Sequence, residues 1–405
     1  MAPLRNEFPA GIPVVEQDPT DPEFVQNPYP FYDRIRSMGD FVFWKDYPLV
    51  VATTHTAVHK VLKHPKMGRA VPETKRVAAP AGLAAFYALE AHSLLEIEPP
   101  DHSRIRRLVT RGFTSERLFP IAPDISRNAD ALIDKFPDGP FDLIEAYSRP
   151  LAALTITTFL GVPDKDAPRL QVWSNDMVAM YQARRDSNVE RRAEIAALDF
   201  TAYARTIITE RRGQSSRGDF LSMLIEGADQ GALTDDELVS TVILLLNAGH
   251  EATAHSVGNA VNLLAAYPDR LLSLHPEQIA NTVEECLRFA PPLHLFKRHV
   301  YDAVTIDEVS FQPGDQVGAL LGSACRDDAV WPDGNRFDPL RARRQHVAFG
   351  LGLHACVGAP LARMEMQIAL PALFSRCPNM KIIEKPRLAD LYHFHGLEKL
   401  MVTVR

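Results

Sequence analysis

Cysteine is scarce in this chain: four residues in 405, Cys286, Cys325, Cys356 and Cys377, with no CxxC pair. That sparseness excludes the disulfide framework of a small secreted scaffold and fits a reducing compartment. The N-terminal stretch MAPLRNEFPAGIPVVEQDPTDPEF has no apolar run and is rich in proline and acid. Neither a signal peptide nor a membrane anchor is expected there, and the protein is expected to be cytoplasmic with no membrane partner. Positive charge is not in excess; the net charge of −7 removes the broad basic field that a nucleic-acid partner requires. No repeat, low-complexity tract or Gly/Ser linker divides the chain. An irregular segment over 1–26 followed by one large domain over 27–405 is therefore expected. What is present, 46% hydrophobic and 23% charged residues, is the composition of a globular protein with a sizeable core.

Periodicity predicts helices over 27–38, 144–160, 167–182 and 191–212, and short strands over 41–44, 49–53, 297–304, 309–311 and 400–404. The longest helix is expected to start at Thr234, where Glu237 completes a capping box and Asp235 and Asp236 suit the positive end of the helix dipole, and to end before Pro268. Asn247, His250 and Glu251 interrupt its apolar run too early for a membrane span. The fold class is mainly α with a minor β portion.

The densest chemistry lies in 349–358, FGLGLHACVG. Gly350 and Gly352 lack Cβ and let the backbone turn tightly and approach a flat ligand. Cys356 follows, with Gly358 and then Pro360, a residue that suits the first turn of a helix. A thiol ahead of a helix N-terminus is readily ionised and suited to hold a metal. Midway along the long helix stand Ala248, Gly249, His250, Glu251, Ala252 and Thr253. Ala248, Gly249 and Ala252 leave a shallow notch, with the acid of Glu251 beside it. Glu285 and Arg288 sit three apart on a helix expected from near Pro276, and His102 and Arg106 share one side of another.

The 349–358 segment resembles the haem-binding loop of the cytochrome P450 family, with phenylalanine, two spaced glycines, histidine, cysteine and glycine all in place. The other three motifs, HxxxR, the acid-bearing helix and ExxR, occur in the family's order, so the resemblance covers the chain from about Asn27 onward. It implies a single cytochrome P450-like domain enclosing haem b (iron protoporphyrin IX), with the Cys356 thiolate as axial ligand and metal site and with Phe349 and Gly350 beside the sulfur. By the same resemblance Ala248 and Gly249 border the haem, and His102, Arg106, Arg298 and His354 are its propionate partners. Glu285, Arg288 and Arg336 are implied as a buried structural triad.

Glu251 is implied as the proton-delivering acid, but the family's usual threonine falls at Ala252, and the hydroxyl of Thr253 lies about 100° further round the helix. A substrate pocket is implied around Phe86, Met177, Met180, Tyr181, Leu245, Leu295, Phe296 and Phe394, with Tyr87 nearby, an apolar set suited to a mid-sized organic molecule. Dioxygen is the co-substrate. Electrons are expected from a ferredoxin or flavodoxin with its NAD(P)H-dependent reductase, steered by Arg104, Arg107, Arg111, Arg341, Arg343 and Arg344. The activity implied is hydroxylation, oxidative dealkylation or epoxidation. The displaced hydroxyl leaves a peroxide-driven peroxygenase or a non-catalytic haem sensor as alternatives. The pair His393 and His395 leaves a zinc hydrolase as a third, although no further ligand stands at motif spacing.

Overall fold

The computed structural model describes residue 9 and residues 11–404. Within it the chain forms two compact units, each assembled from separated segments. The first comprises residues up to Ala78, Asn281–Cys356 and Arg387–Gly396; the second comprises Ala79–Ala280, Val357–Pro386 and the residues from Leu397 on. Because each unit is built from stretches far apart in sequence, no linker or change of composition marks the division.

The first unit is organised on a six-stranded sheet in the order Val14–Val15, Phe41–Trp44, Leu49–Ala52, Gln316–Leu320, Leu295–Val300, Met67–Gly68. Phe41–Trp44 and Leu49–Ala52 pair antiparallel, with Phe41 opposite Ala52 and Trp44 opposite Leu49. All four residues of Leu49–Ala52 are buried, as an uninterrupted apolar run in a central strand should be. The segment expected to be irregular contains two elements. Val14–Val15 joins the sheet edge beside Phe43 and Trp44, and Pro22–Gln26 is a helix capped by the Asp21 side chain. The helix signal, an aspartate before proline, was legible; the strand was not, because its pairing partner lies 29 residues on. The expected strand over 297–304 resolves into Leu295–Val300 and a separate hairpin of Val304–Ile306 with Val309–Phe311. Asp307 and Glu308 turn that hairpin with positive φ of 46° and 70°.

The second unit is helical around Asp235–Ala265. Thr234 caps it as expected: the Glu237 N–H donates to Thr234 Oγ1 at 3.2 Å and the Thr234 N–H to Glu237 Oε2 at 2.9 Å. Helices Arg149–Leu160, Ala167–Val178, Ser187–Arg212, Phe220–Asp229 and Ala359–Arg376 pack against it. The Ser187–Arg212 helix begins four residues before the sequence expectation because Asp186 caps it, accepting from the N–H groups of Asn188 and Val189 at 2.9 and 2.8 Å. The helix expected over 144–160 opens as a π turn, Ile144–Ser148, and the one over 167–182 closes as a 3-10 turn, Ala179–Tyr181. Met401–Thr403 forms a small sheet with Phe141–Asp142 and Lys381–Ile382. Among the described residues no helix is long and apolar enough to cross a membrane.

Candidate functional site

In the first unit, Cys356 is exposed and the other three cysteines are buried or closed to solvent within their units. Burial pushes the Cys325 thiol up to about 12 and the Cys286 and Cys377 thiols up as well, so those sulfurs stay protonated. The loop that carries Cys356 is shaped by its own backbone. The Gly350 N–H donates to Val347 O at 2.8 Å, the Cys356 N–H to Phe349 O at 2.9 Å, and Gly352–His354 is a 3-10 turn. Gly350 and Gly352 have φ of +64° and +74°, which a side chain disfavours. A Cβ on Gly350 would meet Phe296 at 2.9 Å, and one on Gly352 would meet the Leu62 carbonyl at 2.6 Å. On the side where a Cβ would stand, the room these glycines leave is filled by protein neighbours.

Behind the loop lies a closed charge cluster. Arg288, on helix Ile279–Phe289, is 2% exposed, and all five of its N–H donors are placed. Nε and Nη2 grip the Glu285 carboxylate at 2.7 Å each, Nη1 donates to the Cys325 and Gly334 carbonyls at 2.8 and 2.9 Å, and Nη2 also reaches Arg336 O at 3.2 Å. The Asp338 N–H adds a bond to Glu285 Oε1 at 2.9 Å. The third arginine differs from the expectation. Arg336 is exposed and contributes only its carbonyl, while Arg341 brings its Nε to 3.6 Å from Glu285. Asp333, at φ +55°, begins a turn in which the Arg336 N–H donates to its carbonyl at 2.8 Å. Two arginines in WPDGNRFDPLR made the assignment ambiguous from sequence. His346, missed at that stage, is buried with Nε2 3.4 Å from Glu284 Oε2, and its Nδ1 accepts the Ala348 N–H at 3.2 Å.

Of the cation candidates in this unit, Arg298 is 1% exposed within Leu295–Val300 and His354 is half-buried at the end of the 3-10 turn. Leu295 and Phe296 do not line one pocket together, because neighbouring strand residues point to opposite faces. Leu295 packs in the sheet over Gly318, whereas Phe296 lies against Gly350. Phe394 is buried and its segment bridges to Leu293. The His395 ring stacks on His294 at 4.2 Å and 20°, and His393 faces the Tyr47 hydroxyl at 3.5 Å. These histidines belong to an aromatic core, and no group of three His, Cys, Asp or Glu able to hold a metal ion occurs among the described residues.

In the second unit, His102 is fully buried and Arg106 half-buried on helix Asp101–Gly112. Leu245, Ala248 and Ala252 fall on one face of Asp235–Ala265, with Ala248 exposed and Ala252 half-exposed. Gly249 does not share that open face. A Cβ there would meet Ile156 at 2.5 Å, so its smallness lets helix Arg149–Leu160 pack closely. Thr253 is buried. Met177 and Met180 are buried, and the Asn247 amide donates to Met177 Sδ at 3.6 Å. Phe86 is buried on the short helix Ala84–Glu90, whose first N–H groups, of Ala85 and Phe86, donate to the Glu194 carboxylate at 2.9 and 3.0 Å, an anchor the sequence did not announce. The Tyr181 hydroxyl donates to Glu90 at 2.5 Å, and Arg185 donates to the Tyr87 hydroxyl at 3.3 Å.

Glu251 is held among polar groups. Its Oε1 lies 3.3 Å from His255 Nε2 and its Oε2 3.8 Å from His250 Nδ1. With its amide oriented to satisfy the local network, Asn175 donates to Oε2 at 2.6 Å and to Gln171 O at 3.2 Å. Burial alone would raise the Glu251 carboxyl, but His255, His250 and Arg149 outweigh it and hold the group below its ordinary value. Neither His255 nor Asn175 was singled out from sequence, although the four-residue step from Glu251 to His255 is a helical pairing distance.

Burial pushes the His250 imidazole from 6.5 down to about 4, with the Glu251 charge opposing this. As pH falls below about 6.5, the unfolded ring takes a proton that the folded ring refuses until about 4, so stability is lost across that window. This residue should remove about 2 kcal/mol between pH 7 and pH 5. Chemical denaturation at the two pH values should show that His250→Leu loses less stability than the parent by that amount; equal losses would count against it.

The basic residues divide. Arg104 is engaged by Glu237 at 2.7 and 2.9 Å and by Asp101 at 2.8 Å, and Arg341 by the cluster above, so both have partners within the fold. Arg107, Arg111, Arg343 and Arg344 are exposed.

An exposed sulfur on a rigid, glycine-turned loop, while the other thiols are held protonated, suits a thiolate-bound metal cofactor; the residues present fit haem. Comparison with known proteins agrees. The family described as Cytochrome P450 matches residues 35–385. A biotin biosynthesis cytochrome P450 of Bacillus subtilis (strain 168) is 32% identical over 94% of this chain and 97% of its own. A vitamin D(3) 25-hydroxylase of Pseudonocardia autotrophica is 32% identical over 94% of each chain. A crystal structure of P450BioI in complex with an acyl carrier protein ligated with hexadec-9Z-enoic acid superposes with a TM-score of 0.88 at 31% identity, covering 94% of this chain and 99% of that one.

The fold is that of a haem-thiolate oxygenase, mainly α with a minor β portion. The chain belongs to the cytochrome P450 family, a family of monooxygenases whose cofactor is haem on a cysteine thiolate.

Proposed function

We propose that this chain is a cytoplasmic monooxygenase that inserts one atom of dioxygen into a mid-sized apolar organic substrate by hydroxylation, oxidative dealkylation or epoxidation. Its two electrons come from a separate ferredoxin or flavodoxin and an NAD(P)H-dependent reductase. The observation that carries the reading is the exposed sulfur of Cys356 on a loop fixed by two left-handed glycines. When bound, haem supplies the iron at which dioxygen is activated, and a thiolate ligand favours O–O cleavage, an effect known from the family.

The residues then take these roles. Cys356 would hold the iron, with Phe349 shielding the sulfur and its carbonyl holding the Cys356 N–H. By the family resemblance, Arg298, His354, His102 and Arg106 are the cations that would neutralise the two propionates. Glu251 holds a proton at its carboxylate and passes it on, since Ala252 carries no hydroxyl and Thr253 is buried. Leu245, Phe86, Met177 and Met180 line an apolar substrate surface that orients by shape rather than by charge.

The absent hydroxyl at Ala252 favours a second reading, a peroxide-driven peroxygenase, and one experiment separates the two. The reduced carbon monoxide adduct is recorded first, and the strongly red-shifted absorption of thiolate-bound haem is expected; its absence overturns both. Turnover is then compared with NADH, ferredoxin and reductase against peroxide alone. The substrates include a long-chain fatty acid offered free and on an acyl carrier protein, chosen because one structural relative was captured with such a carrier. Product with the electron-transfer system supports the proposal, product with peroxide alone supports the alternative, and product from neither points to a sensor.

A further inference from the structure

We infer that His255 is a positioning residue for Glu251, fixing the carboxylate at one end while Asn175 fixes the other. This rests on the proposed role of Glu251 in proton delivery and adds the group that makes the acid usable in a helix lacking the family's threonine.

Hydroxyls are the usual partners of such an acid, and here they are directed elsewhere. Ser256 donates to the Ala252 carbonyl at 2.8 Å, a bond from one turn on, and Thr253 is buried about 100° round the helix from Ala252. The polar side chains set against the Glu251 carboxylate include His255, His250 and Asn175. His255 stands one helical turn beyond Glu251 on the same face, is buried, and puts Nε2 3.3 Å from Oε1. Asn175, on helix Ala167–Val178, donates at 2.6 Å to the other oxygen. A carboxylate with Asn175 donating to one oxygen and a histidine ring nitrogen 3.3 Å from the other has little freedom to rotate, so a proton it accepts sits at a defined atom. The remaining charged neighbour is Arg149, on helix Arg149–Leu160, whose charge also favours the ionised acid.

The proton itself needs no other reactant. It leaves an N–H or water donor, bonds to a Glu251 oxygen, and leaves again to the reacting oxygen, with no net change at the carboxylate.

The test uses the haem-loaded enzyme and three variants, with Glu251→Gln identifying the infrared band of the Glu251 carboxyl. Following that band against pH, His255→Ala should raise the protonation midpoint of Glu251 by about one unit, as expected on removing a polar neighbour that favours the ionised acid. His255→Gln, which keeps an N–H at similar reach, should lie closer to the parent than to His255→Ala. The pH at which product formed per NADH consumed begins to fall should move with the midpoint. Should His255→Ala fail to fold, His255→Leu, of similar bulk and without the donor, takes its place. An unmoved midpoint, or a His255→Gln value no nearer the parent than His255→Ala, overturns the inference. If Glu251→Gln leaves product per NADH unchanged, the proton-delivery reading fails instead, and the infrared midpoints still judge His255.

Discussion

Cys356→Ser will fold and retain its helical content, yet its reduced carbon monoxide adduct will lack the red-shifted absorption of a thiolate complex, and product formation will drop to background. The reason lies in the donor. A serine hydroxyl occupies almost the same space but does not ionise near neutral pH, and a neutral oxygen does not push electron density onto iron as a thiolate does. No other sulfur can stand in. Cys325 is buried with its thiol pushed up to about 12, and Cys286 and Cys377 are likewise buried or closed to ionisation. Fold should survive because the exposed side chain at 356 contributes little packing, while the bond from its N–H to Phe349 O is made by the backbone and persists. Visible spectroscopy of the reduced carbon monoxide complex, with circular dichroism as the folding control, checks the prediction. A variant that keeps the thiolate spectrum would remove Cys356 from the iron.

Arg288→Ala should have the opposite character, a loss of fold before any loss of chemistry. Five donors of a buried guanidinium disappear at once, leaving the Glu285 charge and the carbonyls of Cys325, Gly334 and Arg336 short of partners. Removing one partner of a buried pair costs about 3–5 kcal/mol, a large part of the roughly 5–15 kcal/mol that holds a domain folded. Soluble, haem-containing protein should fall several-fold. Arg288→Lys should not restore it, because an ammonium has three donors on one atom and cannot span a carboxylate and three carbonyls together. Arg336→Ala is the control. Its side chain is exposed and only its backbone carbonyl enters the cluster, so stability should change by no more than about 0.5 kcal/mol. Arg341→Ala should fall between, since Arg341 touches Glu285 and also donates to the Asp333 and Arg336 carbonyls. Thermal unfolding and haem content of the four variants read out this order; equal damage from Arg336→Ala and Arg341→Ala would return the third role to Arg336.

The contrast between these arginines shows where sequence reasoning stops. The motif FGLGLHACVG, the capped start of the long helix at Thr234 and the pair Glu285 and Arg288 are local patterns, and each has its meaning within about ten residues of chain. They were legible because the interactions concerned, a tight turn, a capping box and a bidentate pair one helical turn apart, are between near neighbours. Which of Arg336 and Arg341 enters the cluster was not legible, because both stand in one irregular segment and only the folded backbone sets Arg341 rather than Arg336 beside Glu285. At Gly249 a glycine in a helix permits close approach, but only the folded chain shows that Ile156 makes one.

The sequence by itself therefore determined the class of chemistry, since a cysteine loop, an acid-bearing helix and an ExxR pair constrain the cofactor through residue types alone. It also determined the mainly helical fold, through periodicity and caps. Tertiary structure decided the company each group keeps: the burial that holds three thiols protonated, the Asn175 amide and the His255 ring set beside Glu251, the strand alternation that separates Leu295 from Phe296, and the edge strand at Val14–Val15. Those outcomes depend on desolvation and on contacts between residues tens or hundreds of positions apart, and such contacts leave no mark on the chain until it has folded.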